Sequence, residues 1–199
     1  MTIVNRGLAV FVLILAMLLG AVAYEIGWLG GKPPETTQAP LPVGGPFTLT
    51  DQNGDTRSDS DFRGKLMLVY FGYTYCPDAC PAALLAMSQA LDQLGDKAGE
   101  VQPIFITIDP ARDTIAQMKL YAANFHPSLL ALTGSPEALV QAEKEYRVYA
   151  EKVPQKDSDD YLEDHSSMIY LMGRDGKLLT LFSPGASADS MAATIKTKL

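Results

Sequence analysis

Runs of apolar residues and runs with helical spacing alternate along this chain. Leu66–Phe71 is unbroken by any polar residue and rich in aromatic and branched side chains, which predicts a central strand covered on both faces. Val101–Ile108 repeats the pattern, with Asp109-Pro110 as its stop, and Leu129–Leu132 is a short third strand. Between them, Ala82–Leu94 places leucines and Met87 at steps of three and four, an amphipathic helix that Gly95 can end. Thr114–Phe125 reads as the next helix. Ser135, followed by Pro136 and Glu137, caps another that runs to Tyr146. Arg147–Val153 is expected to be extended, and Gln155–Asp164 an exposed acidic loop without core residues. Ser167–Met172 and Lys177–Phe182 flank a Gly173–Gly176 turn, and Ser187–Leu199 closes as a helix.

Ahead of the first long strand, Phe47–Thr50 and a strand around Thr56 flank Asn53-Gly54, a strong hairpin signal. The order is therefore a hairpin, alternating strands and helices, then a terminal hairpin and helix. That order gives an α/β, thioredoxin-like fold, with a central mixed sheet flanked by helices. The domain is expected over residues 46–199. Residues 30–45, rich in proline and glycine, read as a semi-extended tether. Residues 1–29 carry the uncharged run Gly7–Tyr24, 18 positions long, enough to span a bilayer or to act as an export signal. Ala21-Val22-Ala23 offers a cleavage pattern, but the run is longer than a usual signal core, which favours an uncleaved transmembrane anchor.

Composition narrows this further. A formal net charge of −7 leaves no basic stripe to neutralise phosphates and argues against nucleic acid. The only two cysteines, Cys76 and Cys80, enclose three residues. So short a loop gains little from a structural disulfide, and redox or metal chemistry explains the pair better. Both fall where the first central strand gives way to a helix opening around Cys76–Pro81. On one helix face, positions four apart aim their sulfurs at one place.

Topology separates the two histidines. Cys76 lies at the C-terminal edge of its strand, where open α/β sheets place their ligands. His126 ends a returning helix and belongs at the opposite edge. His165 leads into a strand antiparallel to the first, so it starts at the cysteine edge. Two thiols near a helix N-terminus and one imidazole make a soft donor set. Such donors suit Cu(I) and also zinc, but structural zinc wants a fourth protein ligand. Copper fits better. Asp78 reads as a first-turn helix acid. Asp109, Arg112 and Asp113 are either an electrostatic rim at the same edge or a helix-capping cluster, and most of the eight methionines read as core, anchor or initiator. A thiol–disulfide oxidoreductase or thiol peroxidase, with Cys76 attacking and Cys80 resolving, is the alternative reading of the pair.

Several motifs resemble the Sco/SenC family of membrane-anchored copper chaperones for cytochrome oxidase: GGPFTLTDQNG at Gly45–Gly54, DFRGK at Asp61–Lys65, YFGYTYCPDACP at Tyr70–Pro81, DPARDT at Asp109–Thr114, YRVY at Tyr146–Tyr149 and DHSSMIYLM at Asp164–Met172. The resemblance implies Cys76, Cys80 and His165 as ligands for copper, as Cu(I) and Cu(II), and a thioredoxin-like fold. It also implies a part in building the dinuclear copper centre of the oxidase, by delivering copper or by reducing that centre's cysteines. The implied partners are the copper-centre subunit and other copper carriers or thiol reductants. The implied location is a bacterial inner membrane, with one N-terminal pass and the domain on the periplasmic side.

Overall fold

The structure, a computed structural model, describes residues 3–25, 42–156 and 160–199. Two compact units divide it, residues 1–41 and 42–199. In the first, α1 (Ile3–Glu25) is a helix of 23 residues, and apolar side chains along it, Leu8 to Val22, are exposed. Among the described residues no helix is long and apolar enough to cross a membrane. Most of the expected tether, residues 30–41, and the end of the leading segment, residues 26–29, lie outside the described residues.

The second unit is built on a seven-stranded sheet: β1 (Thr48–Asp51), β2 (Thr56–Ser58), β3 (Leu66–Gly72), β4 (Val101–Thr107), β5 (Leu130–Thr133), β8 (Ile169–Met172) and β9 (Leu178–Phe182), in the order β2-β1-β5-β4-β3-β8-β9. β3, β4 and β5 run parallel, as their helical connections require. β8 joins β3 antiparallel, with Tyr70 opposite Ile169. The N-terminal hairpin is not a separate flap, because β1 pairs with β5. Its turn uses Gly54 at φ 91°, a conformation that costs glycine nothing.

Every residue of β3 is buried. Its alternate side chains point to opposite faces. Tyr70 meets Cys80 of α2 (Ala79–Asp92), while Phe71 meets Tyr146 of α4 (Pro136–Tyr146) at a ring separation of 5.2 Å. Helices therefore cover both faces, and the apolar run needs no polar side. α3 (Ile115–Ala122) and α5 (Ala188–Lys196) add Met118, Met191 and Ile195 to the same core. The capping signals act as expected. Thr114, Ser135 and Ser187 each accept a hydrogen bond from the backbone N–H three residues on.

Two expectations are corrected. The extended segment does not start at Arg147, which takes a left-handed conformation (φ 57°) and ends α4; the strand β6 begins only at Ala150 and runs to Pro154. The supposed exposed loop Gln155–Asp164 contains most of a strand, β7 (Tyr161–His165), paired antiparallel with β6 as a separate two-stranded sheet. Residues 157–159 of that loop lie outside the described residues. The strand was hidden because its one fully buried position is an acid, Glu163.

Candidate metal centre

The site forms where β3 runs out. Gly72 ends the strand, and a loop from Tyr73 to Asp78 leads to α2. Cys80 is the second residue of that helix and is fully buried; Cys76 is half-buried and lies in the loop, not in the helix. The two thiols nonetheless meet, because the Cys80 backbone N–H donates to Cys76 Sγ at 3.3 Å. Cys76 thus fills the capping position that Asp78 leaves empty, since the exposed Asp78 side chain makes no cap bond. A sulfur receiving orphan N–H groups at a helix start is held as a thiolate.

The loop is fixed from below by Asp113. Its carboxylate accepts from the Thr74 N–H (2.9 Å), the Thr74 hydroxyl (2.6 Å) and the Thr107 hydroxyl (2.6 Å), so it ties the end of β3 to the end of β4. Burial raises its pKa, and the two threonine hydroxyls oppose that rise. Neither expected role for the Asp109, Arg112, Asp113 group holds, since Thr114 makes the cap and both acids are fully buried. Arg112 donates to Asp109 at 2.5 Å and to the Tyr161 carbonyl at 2.9 Å, and its guanidinium stacks on the Tyr161 ring at 3.7 Å. It clamps the start of β7 to the edge of the main sheet.

β7 brings in the third donor. His165 is its last residue, and its Nε2 lies 3.5 Å from Cys80 Sγ. The rings of Tyr70 and Tyr73 stand edge-on to the imidazole at 6.1 and 6.0 Å. The Tyr73 hydroxyl also accepts from the Glu163 N–H at 3.2 Å. Nδ1 lies 3.2 Å from the Ser166 carbonyl, which can only accept, so the proton belongs on Nδ1 and Nε2 faces the sulfurs bare. His126 is elsewhere, bonded to Ser128 before β5 and 3.8 Å from Asp92.

The thiols are both free, and they share charge unequally. A hydrogen bond from Cys80, with the backbone N–H groups of Cys80 and Asp78 behind it, pulls Cys76 far below the ordinary thiol range despite its burial. The same bond, with burial, pushes Cys80 far up. At neutral pH the pair therefore carries one negative charge, seated on Cys76. The Tyr70 hydroxyl lies 3.7 Å from Cys80 Sγ, and burial raises that phenol too.

The donor atoms of Cys76, Cys80 and His165 all lie within 4.8 Å of one another, and among the described residues they are the only such group. An ion bound to thiolate sits about 2.3 Å from each sulfur, so donors it bridges stand no more than about 4.6 Å apart. The set closes on one ion with shifts of a few tenths of an ångström. Sequence reasoning missed Tyr70, Tyr73 and Gly72, and the inward-facing role of Asp113. A Cβ at Gly72 would meet Cys80 Sγ at 2.7 Å, so only glycine lets that sulfur seat against the strand end.

The SCO1/SenC family model matches residues 35–199. The chain belongs to the SCO1/SenC family. It is 44% identical over 154 residues to the mitochondrial protein SCO2 homolog of Bos taurus, a match covering 76% of this chain and 58% of the relative. The chain thus spans less than two thirds of that curated relative. Among solved SCO1/SenC structures, Bradyrhizobium japonicum ScoI with copper bound superposes with a TM-score of 0.74 at 46% identity, covering 79% of this chain and 99% of that one. Arabidopsis thaliana ScoI with copper bound gives a TM-score of 0.73 at 38% identity, covering 78% and 97%.

Proposed function

We propose that Cys76, Cys80 and His165 bind copper, as Cu(I) and Cu(II), and that the protein hands it on in assembling the dinuclear copper centre of cytochrome c oxidase. The observation that carries this is the convergence of two free thiols and one bare imidazole nitrogen, the last brought from 85 residues along the chain. The copper bound by the Bradyrhizobium and Arabidopsis relatives supports the same choice of ion. Copper entry displaces the proton shared by the sulfurs. Cys80 supplies the buried side of the site, and the part-exposed Cys76 and His165 are where an acceptor's ligands take hold. Binding needs both thiols reduced, because a disulfide sulfur is no thiolate. The partners are the copper-centre subunit of the oxidase and the copper carriers or thiol reductants that recharge this chain.

α1 is the membrane anchor in this reading, holding the domain on the periplasmic side of a bacterial inner membrane. The support for this lies in the sequence, the uncharged run Gly7–Tyr24 of 18 positions, and stands against the finding that among the described residues no helix is long and apolar enough to cross a membrane. The copper bound by the Bradyrhizobium and Arabidopsis relatives weighs against thiol–disulfide turnover as the main work of the same cysteines.

His165→Ala is the direct test. Outer-shell changes alone cost metal sites about 10–100-fold, so losing a ligand is expected to weaken copper binding by more than about 100-fold while the urea transition stays in place. Parent-like copper affinity in that variant would show that the imidazole is not a ligand.

A further inference from the structure

Away from the thiols, beneath the β6–β7 ribbon, lies a cavity of about 460 Å³ that the proposed copper chemistry does not use. Ile108, Leu139 and Val140 form apolar walls, and Glu143, Lys152 and Glu163 supply its charged groups. Its volume falls within the range of ligand pockets. The Glu163 side chain is only 3% exposed, and its Oε1 has no hydrogen-bond partner among the described residues. The nearest cation, Lys152 Nζ, stands 4.0 Å away, is 55% exposed, and is shared with Asp109 at 3.8 Å. Glu151 also lines the cavity, though the Tyr149 hydroxyl bonds it. Three carboxylates thus face one ammonium. A buried acceptor left unpaired destabilises the fold, and a donor brought from outside removes that cost.

The walls decide what kind of cation fits. A divalent ion needs converging oxygens, and these three carboxylates do not gather into such a group. An alkyl chain with a charged tip satisfies both features, its methylenes on Leu139 and Val140 and its head at Glu163. The cavity's place on the chain supplies the rest. Lys152 pairs with Glu163, and Ala150 with His165, across the same ribbon, so an occupant sits two residues along the strand from the imidazole. We propose that this cavity receives an arginine or lysine side chain of a partner protein docking beside the Cys76, Cys80, His165 centre. That the partner comes for copper rests on the function proposed above; the cation pocket itself does not. Burial, with the Glu163 charge second, raises Glu143 to about 7, in keeping with an acidic wall short of countercharge.

The test is a methyl NMR titration of the full chain, reduced and free of metal, with acetyl-arginine amide and acetyl-lysine amide. Shifts are expected at Ile108, Leu139 and Val140, and acetyl-norleucine amide is expected to bind at least about tenfold more weakly. Glu163→Gln, which keeps the shape and removes the charge, is expected to weaken binding about tenfold or more. Should that variant not fold, Glu143→Gln at the more open rim is expected to weaken binding severalfold. Equal binding of the norleucine probe, parent-like binding in the folded Glu→Gln variant, or shifts confined to other surfaces would overturn the proposal. Tighter binding of free arginine than of the capped residue would overturn the assignment to a protein partner. The readout contains no copper, so its failure leaves the His165→Ala result standing, and the reverse also holds.

Discussion

Gly72→Ala probes how the sheet seats the second sulfur. Gly72 has no positive φ, so alanine is tolerated by the backbone and the whole effect is steric. The added methyl would lie 2.7 Å from Cys80 Sγ, 3.1 Å from Tyr70 Cε1 and 3.2 Å from Phe105 Cε2. Ordinary contacts of this kind are about 3.5–4.0 Å, so the sulfur must retreat by roughly 1 Å, since both rings are fully buried and stacked on each other. Overpacking of this size costs about 1–3 kcal/mol. Metal sites hold donor distances to within about 0.2 Å, so the copper site suffers more than the fold, and an affinity loss of about 10–100-fold is expected, the scale seen when ligand orientation is disturbed. Urea unfolding gives the first quantity and competition with a chromophoric Cu(I) chelator the second. Gly99→Ala is the control, because nothing lies within 4 Å of its added methyl; it should be neutral or stabilise by up to about 1 kcal/mol. A Gly72→Ala protein that loses stability yet binds Cu(I) within about twofold of the parent would refute the idea that this contact positions Cys80.

Further outcomes follow from the same network. Asp113→Ala leaves Thr74 and Thr107 without their buried acceptor and should cost about 3 kcal/mol in urea unfolding, with faster proteolysis in the Tyr73–Asp78 loop; an unchanged midpoint contradicts its role as the loop's anchor. Because Cys76 titrates far below the usual thiol range and Cys80 far above it, iodoacetamide at about pH 6 should label Cys76 alone, as read by peptide mass; equal labelling rising together near pH 8.5 would contradict the unequal sharing. Glu143 has a raised folded pKa, about 7, caused first by burial and then by Glu163. A raised carboxyl favours the fold only while protonated, so its contribution is present below about pH 4.3 and is lost as pH rises through 7. Glu143→Gln should therefore stabilise by about 1–2 kcal/mol at pH 8, after allowing for its partial exposure, and hardly at all at pH 4.

The parts of the fold that were legible in the sequence are those where burial is two-sided or a cap is explicit. Leu66–Phe71 declares itself because no face of β3 meets water, and Ser135-Pro136 marks the start of α4 by its own chemistry. The meeting of His165 with the cysteines also followed from strand direction alone, since β8 runs against β3. β7 was not legible, because Tyr161–His165 carries its buried position as a glutamate and its remaining side chains are polar or part-exposed. Asp113 resembles a cap by its position before α3, yet its carboxylate turns inward to Thr74 and Thr107. No local pattern separates the two, because the difference lies in a contact 39 residues away. Cys76 was expected on the helix; the spacing was right, but the loop delivers it to the same point by way of a backbone bond to its sulfur.

Among the described residues, the ribbon of β6 and β7 shares no rung with the seven-stranded sheet. The two sulfurs consequently rest on the main sheet and α2, and the imidazole on the ribbon. Lifting the ribbon breaks the Tyr73–Glu163 bond, the Arg112 links and the ring-edge contacts, each on the order of 1 kcal/mol, while β3, β4 and β8 stay zipped. In the function proposed above, such a local opening would release a held ion at a cost well short of global unfolding.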